Sequence, residues 1–358
     1  MKTKENAKIK WLFMELTNKC NFDCTFCPND LMKRKIGKID LQTAKRILDE
    51  IIADKKDHIF TKPDIVVELH VMGEPLLHAD IFEIIKHAEE NGIPIYLVTN
   101  GSLLTDNNVD KLFAANLSYL VISYQTPNEE SFKLRRANNM SFEKYQSFIY
   151  NAIRRKIEKK AATEIHVHLL NTKDFKPRNA ACVDSPDEAL DVFNTLNSYS
   201  QQLLKEYDIN FQGHFFTDCN PNNLLDVPAE HLYEALPGVA IVFKKANSFG
   251  NNLVNEKIIE NSHGNCSAPF DQLAILSNGV CTICCLDYEG STDIGNINES
   301  SIKDIWFGER MELIRREMSK NNLIETVCRK CKGTPANDKS NNSFLIKIKK
   351  HFKDIGKR

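Results

Sequence analysis

Between residues 11 and 170 the chain switches repeatedly between two periodicities. Runs rich in β-branched and aromatic residues, at 11–17, 65–72, 93–98, 117–123 and 164–170, are separated by segments such as 41–52, 79–91 and 141–158, which have helical spacing. Strands that alternate with helices pair in parallel through right-handed crossovers. The alternation therefore predicts an α/β fold built on a parallel barrel or part of one, with function at the carboxyl ends of the strands. A further helix is expected at 186–206, an insertion at 208–235 and a sixth strand at 238–243.

A short signature follows each of the first three strands: Cys20-x3-Cys24-x2-Cys27, then Gly73-Glu74-Pro75, then Thr99-Asn100-Gly101. Three thiols in one loop are one short of a closed tetrahedral zinc site. A [4Fe–4S] cube takes a thiolate on each iron, so three cysteines leave one iron open to a ligand that is not protein. With Phe26 just before the last cysteine, this loop resembles the cluster loop of the radical S-adenosylmethionine (radical SAM) enzymes. The resemblance implies a partial (β/α)6 TIM-like barrel and a [4Fe–4S] cluster on Cys20, Cys24 and Cys27, with SAM on the open iron. It places Phe26 beside the adenine and Gly73, Glu74 and Pro75 near the methionine ammonium, with Met72 where the family usually has its first glycine. It matches Ser123 to a ribose contact and Arg136 to the partner of the methionine carboxylate. Arg135 is an alternative for that role, and a solvated helix arginine is the plain one.

Strand alternation adds a second reading. Glu68, His70 and Met72 share one face of the second strand, and His166 and His168 one face of the fifth, opposite apolar neighbours. If the apolar set faces the helices, these polar groups line the barrel interior, which suits a polar substrate. Glu68, His70, His166 and His168 are the catalytic candidates, each histidine being equally readable as a satisfied core or rim residue.

A second cysteine constellation comprises Cys266, Cys281, Cys284, Cys285, Cys328 and Cys331. A β-hairpin with Asn278-Gly279 at its tip is expected between the first two. Cys266-x12-Gly279-x4-Cys284 and the late Cys-x2-Cys resemble the auxiliary-cluster region of SPASM and twitch radical SAM enzymes. Cys266, Cys284, Cys328 and Cys331 would then hold a second [4Fe–4S] cluster, with Cys285 open as a replacement for Cys284. A zinc ribbon from the same cysteines is the alternative. No cysteine series follows Cys331, which suits the shorter twitch form with one auxiliary cluster. Cys281 reads as a hairpin residue, and Cys182 and Cys219 as buried small side chains. The expected organisation is a barrel at 1–250, a β-hairpin and helix twitch domain at 251–335 and a basic tail at 336–358.

In this 358-residue chain 47 basic residues meet 48 acidic ones, so no global field draws it to nucleic acid. No apolar run approaches the length of a membrane span and the first residues do not read as an export signal, so a cytoplasmic location is expected. Eleven cysteines in clusters then read as metal ligands rather than disulfides. The basic tail could touch a membrane surface or an acidic partner; a solvated terminus is the plainer reading.

The resemblance implies an enzyme that cleaves SAM to a 5′-deoxyadenosyl radical, abstracts a hydrogen atom from a polar substrate and oxidises it, with the auxiliary cluster as electron acceptor. Its reductant would be of the flavodoxin or ferredoxin type. A cyclitol or sugar-like alcohol is favoured, since twitch relatives include 2-deoxy-scyllo-inosamine dehydrogenase and few residues precede the first strand to form a leader-binding domain. The alternatives are maturation of a peptide or protein side chain and, in another class, a non-catalytic iron–sulfur or zinc protein.

Overall fold

The computed structural model describes residues 7–54, 59–61, 64–216, 220–226 and 232–336. Cys219 and residues 337–358 of the basic tail lie outside the described residues. The strands are β1 (Trp11–Met14), β2 (Val66–Glu68), β3 (Ile95–Thr99), β4 (Tyr119–Gln125), β5 (Glu164–Asn171), β6 (His214–Phe215), β7 (Leu232–Leu236), β8 (Val239–Lys245), β9 (Ile258–Ile259), β10 (Gln272–Ile275), β11 (Val280–Thr282), β12 (Gly295–Asn296) and β13 (Thr334–Pro335). All but β9 and β13 form one sheet in the order β12-β11-β10-β1-β2-β3-β4-β5-β8-β7-β6. From β1 to β5, and on to β8, each strand runs parallel to the next. These six parallel strands are the partial (β/α)6 barrel.

The helices cover the outer face. Helix α1 (Leu41–Ala53) is capped by Asp40, which accepts from Thr43 N, and α2 (Ile81–Glu90) and α3 (Asp106–Ala114) follow. After the single turn α4 (Glu129–Phe132), α5 (Phe142–Lys159) begins at Ser141, and α6 (Pro186–Glu206) at the Ser185/Glu188 capping box with Pro186 in its first turn. Facing them, Val67, Leu97, Leu120, Val167 and Ile241 share one apolar cluster, so the alternate positions on each strand turn inward. The expected boundaries of α1, α5 and α6 hold to within a residue.

Two expectations change. The second strand, expected over 65–72, ends at Glu68. Beyond it the backbone turns to other partners: Met72 N is taken by the Glu15 carboxylate at 3.0 Å, and Gly73 adopts φ +81°. The segment expected to be a mere insertion also contributes β6 and β7, which extend the sheet antiparallel beyond β8. The signal was in the sequence: Pro237-Gly238 between two apolar runs is a two-residue hairpin turn, with Gly238 at φ +67°.

The C-terminal segment continues the same sheet. After α7 (Ala268–Asp271), β10 pairs in parallel with β1, and β11 turns back antiparallel across the expected Asn278-Gly279 tip, where Gly279 has φ +86°. Helices α8 (Ile302–Trp306), α9 (Glu309–Ser319) and α10 (Thr326–Cys331) follow. Among the described residues no helix is long and apolar enough to cross a membrane.

Candidate functional site

The cysteine loop is held from behind by the segment after α4. Thr25 N donates to Leu134 O at 2.8 Å and Asp23 N to Arg135 O at 3.2 Å, while Cys27 N closes a turn onto Cys24 O at 3.1 Å. Arg135 is buried: its Nε donates to Thr126 Oγ1 at 2.8 Å, its Nη2 to the Ser123 carbonyl, and its guanidinium lies over the rings of Phe22 and Tyr145. Arg136 points outward instead, 59% exposed and 3.3 Å from Asp23. Of the two arginines, Arg135 is the one whose charge reaches Cys24 and Glu74. Ser123 ends up at a β4/β5 register shift, its carbonyl shared by Arg135 and the Tyr145 hydroxyl. Phe26 packs with Leu170, Ala180 and Cys182, and Cys24 touches the same cluster.

Gly73 and Glu74 lock three strand ends together. Glu74 N donates to Lys19 O at 2.8 Å. Its carboxylate accepts from Thr99 Oγ1 at 2.8 Å, Asn100 N at 2.7 Å and Leu76 N at 3.0 Å, with Pro75 buried in the turn that follows. Burial raises the Glu74 carboxyl to about 7 despite these donors. Asn100 completes the link, its Nδ2 reaching Asn21 Oδ1 at 2.9 Å and Cys20 Sγ at 3.7 Å. At Gly73 an added Cβ would lie 2.3 Å from Thr17 O and 2.8 Å from Lys19 O. Backbone cannot swing aside as a side chain can, and φ is positive there. Gly73→Ala is expected to cost about 3 kcal/mol or more; a denaturation midpoint unchanged from wild type would refute this.

The three thiols of the loop are each pushed up by burial, Cys24 to about 11; Cys24 also feels the Cys20 charge, and Cys27 those of Cys24 and Cys20. The second set behaves alike. Burial lifts Cys284 and Cys328 to about 12; Cys284 feels Cys266, and Cys328 feels Cys284, Cys266 and Cys331. Among the described residues no three His, Cys, Asp or Glu side chains converge tightly enough for one ion. Both sets offer thiols alone, the donor chemistry that an iron–sulfur cube takes, one thiolate per iron. Cys285 packs against the cluster of Met72 and Tyr288; burial pushes its thiol up, and it feels the charges of Cys284, Glu68 and Lys244. Cys281 is a buried hairpin residue opposite Ile275 and Cys182 is buried, as expected.

The inward face of the barrel carries polar groups at the end of β2 and along β5. Glu68 Oε2 lies 3.4 Å from His70 Nδ1, which among the described residues has no hydrogen-bond partner. His166 stands 3.5 Å from Glu164 and 6.3 Å, ring to ring, from His168. Burial pushes Glu68 up to about 7 and His70 and His168 down to about 4 and 3, the Lys244 charge opposing the first shift and adding to the other two. Both imidazoles thus bind a proton less readily than in the unfolded chain, near 6.5, so acid favours unfolding below that value. Each is expected to cost the cluster-free protein about 2 kcal/mol of stability between pH 7 and 5. Glu68 works the other way, its raised carboxyl adding stability as pH falls from 7 toward 4.5. In His168→Gln the acid loss should shrink by one histidine's share; equal pH slopes for variant and wild type would count against burial of the ring.

The sequence reading passed over one pair. Glu15, fully buried after β1, meets Arg34 in a two-point contact with both oxygens 2.8 Å from a guanidinium nitrogen. The same carboxylate accepts from Met72 N and from Ser277 N at the hairpin. The signal was a lone charge inside the apolar run Trp11-Leu12-Phe13-Met14-Glu15-Leu16, which demands a buried counter-ion.

Comparison with known proteins agrees with this geometry. Residues 14–177 match the radical SAM superfamily and residues 266–332 the SPASM iron–sulfur cluster-binding domain. The chain thus carries a radical SAM domain followed by a SPASM domain. A [4Fe–4S] cluster with SAM and auxiliary iron–sulfur chemistry come with the two domains.

An AdoMet-dependent heme synthase of Methanosarcina barkeri is 32% identical over 38% of this chain and 36% of its own length. A PqqA peptide cyclase of Ruegeria pomeroyi is 33% identical over 32% of this chain and 28% of its own. The matches thus span about a third of these curated relatives. In fold, Streptococcus suis SuiB bound to S-adenosylmethionine superposes with a TM-score of 0.51 at 16% identity, over 87% of this chain and 68% of that one.

Proposed function

We propose that this radical SAM enzyme oxidises a polar substrate held inside the barrel, with Cys20, Cys24 and Cys27 holding the first cluster and Cys266, Cys284, Cys328 and Cys331 one auxiliary cluster. The observation that carries this reading is the polar inward-facing group, with Glu68 and His70 at the carboxyl end of β2, His168 midway along β5 and His166 nearer its start. Bound there, the first cluster with SAM supplies hydrogen-atom abstraction by a 5′-deoxyadenosyl radical, and the auxiliary cluster an acceptor for the electron left on the substrate.

The chain's own part is positioning and proton handling. Glu74 fixes the cysteine loop against the ends of β2 and β3 through Lys19 O, Thr99 and Asn100. Asn100 steadies Cys20, and Arg135 brings positive charge to the buried thiols. Oxidation at a carbon bearing a hydroxyl releases a proton as well as an electron. Glu68, near neutrality and facing the interior, accepts it. His70 and His168, neutral at pH 7, hold substrate hydroxyls by hydrogen bonds.

Anaerobically reconstituted protein should bind roughly eight irons per chain and no zinc. A dialysable extract fraction should accelerate 5′-deoxyadenosine formation. Four irons with zinc would remove the auxiliary cluster from the reading. The relatives named PqqA peptide cyclase favour a second reading, a peptide substrate. It is selected if acceleration is confined to the retained, protease-sensitive fraction.

A further inference from the structure

We infer that Lys244 is the anchor for an anionic oxygen group, a carboxylate or phosphate, carried by the substrate; this rests on the reading of the barrel interior as the substrate site. On β8 the alternate residues Val239, Ile241 and Phe243 belong to the helix-facing cluster, which turns Ala240, Val242 and Lys244 inward. Parallel pairing with β5 sets Ala240 beside His166, Val242 beside His168 and Lys244 beside Leu170, one step nearer the rim. Leu170 in turn packs on Phe26 beside Cys24. The ammonium therefore stands at the level of the cysteine loop.

Its charge is felt by Glu68, His70, His168 and Cys285, side chains from the end of β2, from β5 and from the C-terminal cysteine segment. Lys244 thus lies among the inward-facing groups of β2 and β5 and close to the C-terminal cysteine segment. Among the described residues its ammonium has no hydrogen bond or ion pair, whereas the adjacent Lys245, on the opposite face, is bound to Asp174 at 2.9 Å.

Lys244 is exposed at the rim, so its unpaired ammonium is open to an anion entering from solvent. Two neighbours are suited to share the anion. His70 and His168 are held neutral, so each offers an N–H donor without adding charge, and among the described residues His70 Nδ1 has no hydrogen-bond partner. An oxyanion that bridges Lys244 and these rings would fix the substrate at one end, leaving its reacting carbon to be placed beside the cysteine loop. The inference narrows the substrate from polar to acidic: a sugar acid, a phosphorylated alcohol, or a residue with a side-chain or terminal carboxylate.

The test is lysine footprinting of the reconstituted full chain by reductive methylation, read residue by residue by mass spectrometry, with inorganic phosphate, succinate or glycerol present. At about ten times its dissociation constant, phosphate or succinate should slow labelling of Lys244 about tenfold, since a bound ammonium is shielded in proportion to occupancy. Lys245 should be unaffected and glycerol inert. Equal labelling of Lys244 with and without both anions overturns the inference. Protection of Lys244 by SAM alone also overturns it, by assigning the ammonium to the carboxylate of SAM. The same preparation is assayed for 5′-deoxyadenosine formation with dithionite. Lys244 protected while no 5′-deoxyadenosine forms would sink the proposed function and leave the anion site standing; the converse sinks only the anion site.

Discussion

Glu15→Ala should destabilise the protein by about 3–5 kcal/mol, the cost of breaking a buried ion pair from one side. The carboxylate is fully buried and its partner Arg34 nearly so, at 0% and 6% side-chain exposure. Removing the carboxylate leaves a guanidinium without its counter-charge and two backbone donors, Met72 N and Ser277 N, without an acceptor. Each orphaned donor adds about 1–3 kcal/mol unless water reaches it. Glu15→Gln keeps one acceptor oxygen and should lose less. The double replacement Glu15→Leu with Arg34→Met removes both charges together and should cost less than Glu15→Ala alone, because no unpaired ion remains. Denaturant unfolding of the cluster-free proteins checks this order. A change below about 1 kcal/mol for Glu15→Ala would place the pair in the class of solvated surface bridges.

The consequence is not confined to stability. Glu15 sits directly after β1, Met72 leads into Gly73-Glu74, and Ser277 begins the hairpin that carries the segment to Cys281, Cys284 and Cys285. One carboxylate thus sets the register between the first cysteine loop, the glycine–glutamate segment and the C-terminal cysteine set. Through Arg34 Nε, which donates to Tyr288 O, it also touches the loop after Cys285.

The parallel core was legible because hydrophobic period and loop signatures agree. Val67 and Leu69 facing helices, with Glu68 and His70 facing in, is a period-two pattern that permits one orientation once helices cover the other face. The attachment of the C-terminal segment was not legible. Its hairpin was expected from Asn278-Gly279, but that β10 would pair with the free edge of β1 depends on a non-local ladder. No local period encodes which edge a strand joins. At the site, the cysteine loop and Gly73-Glu74 stood out because few residue types tolerate their geometry. Arg135 and Arg136 could not be ranked, since adjacent residues share a propensity. Their fates diverge only because Arg136 takes a left-handed turn, φ +45°, that throws its side chain to the surface while Arg135 points back over Phe22 and Tyr145. The same holds for Cys284 and Cys285, and Lys244 was missed because its strand was read only as far as Phe243.

Cys24→Ala and Cys328→Ala should separate the two cysteine sets by what each abolishes. With dithionite as electron source, Cys24→Ala is expected to form no 5′-deoxyadenosine above background, because Cys24 sits between the other two thiols of its loop and is coupled to both. Cys328→Ala should still cleave SAM at a rate within about threefold of wild type, since Cys328 is outside the proposed ligands of the first cluster, yet give no oxidised product. The reason is electron accounting: hydrogen-atom abstraction removes one electron and one proton from a two-electron oxidation, and the second electron needs a sink within the protein. Fold loss is separated from electron-sink loss by Cys281→Ala, which removes a buried hairpin thiol opposite Ile275 without touching the candidate ligands and should retain turnover. Persistent product from Cys328→Ala would mean that the second electron leaves by another route, and SAM cleavage lost in both Cys24→Ala and Cys328→Ala would mean that the sets do not divide the work.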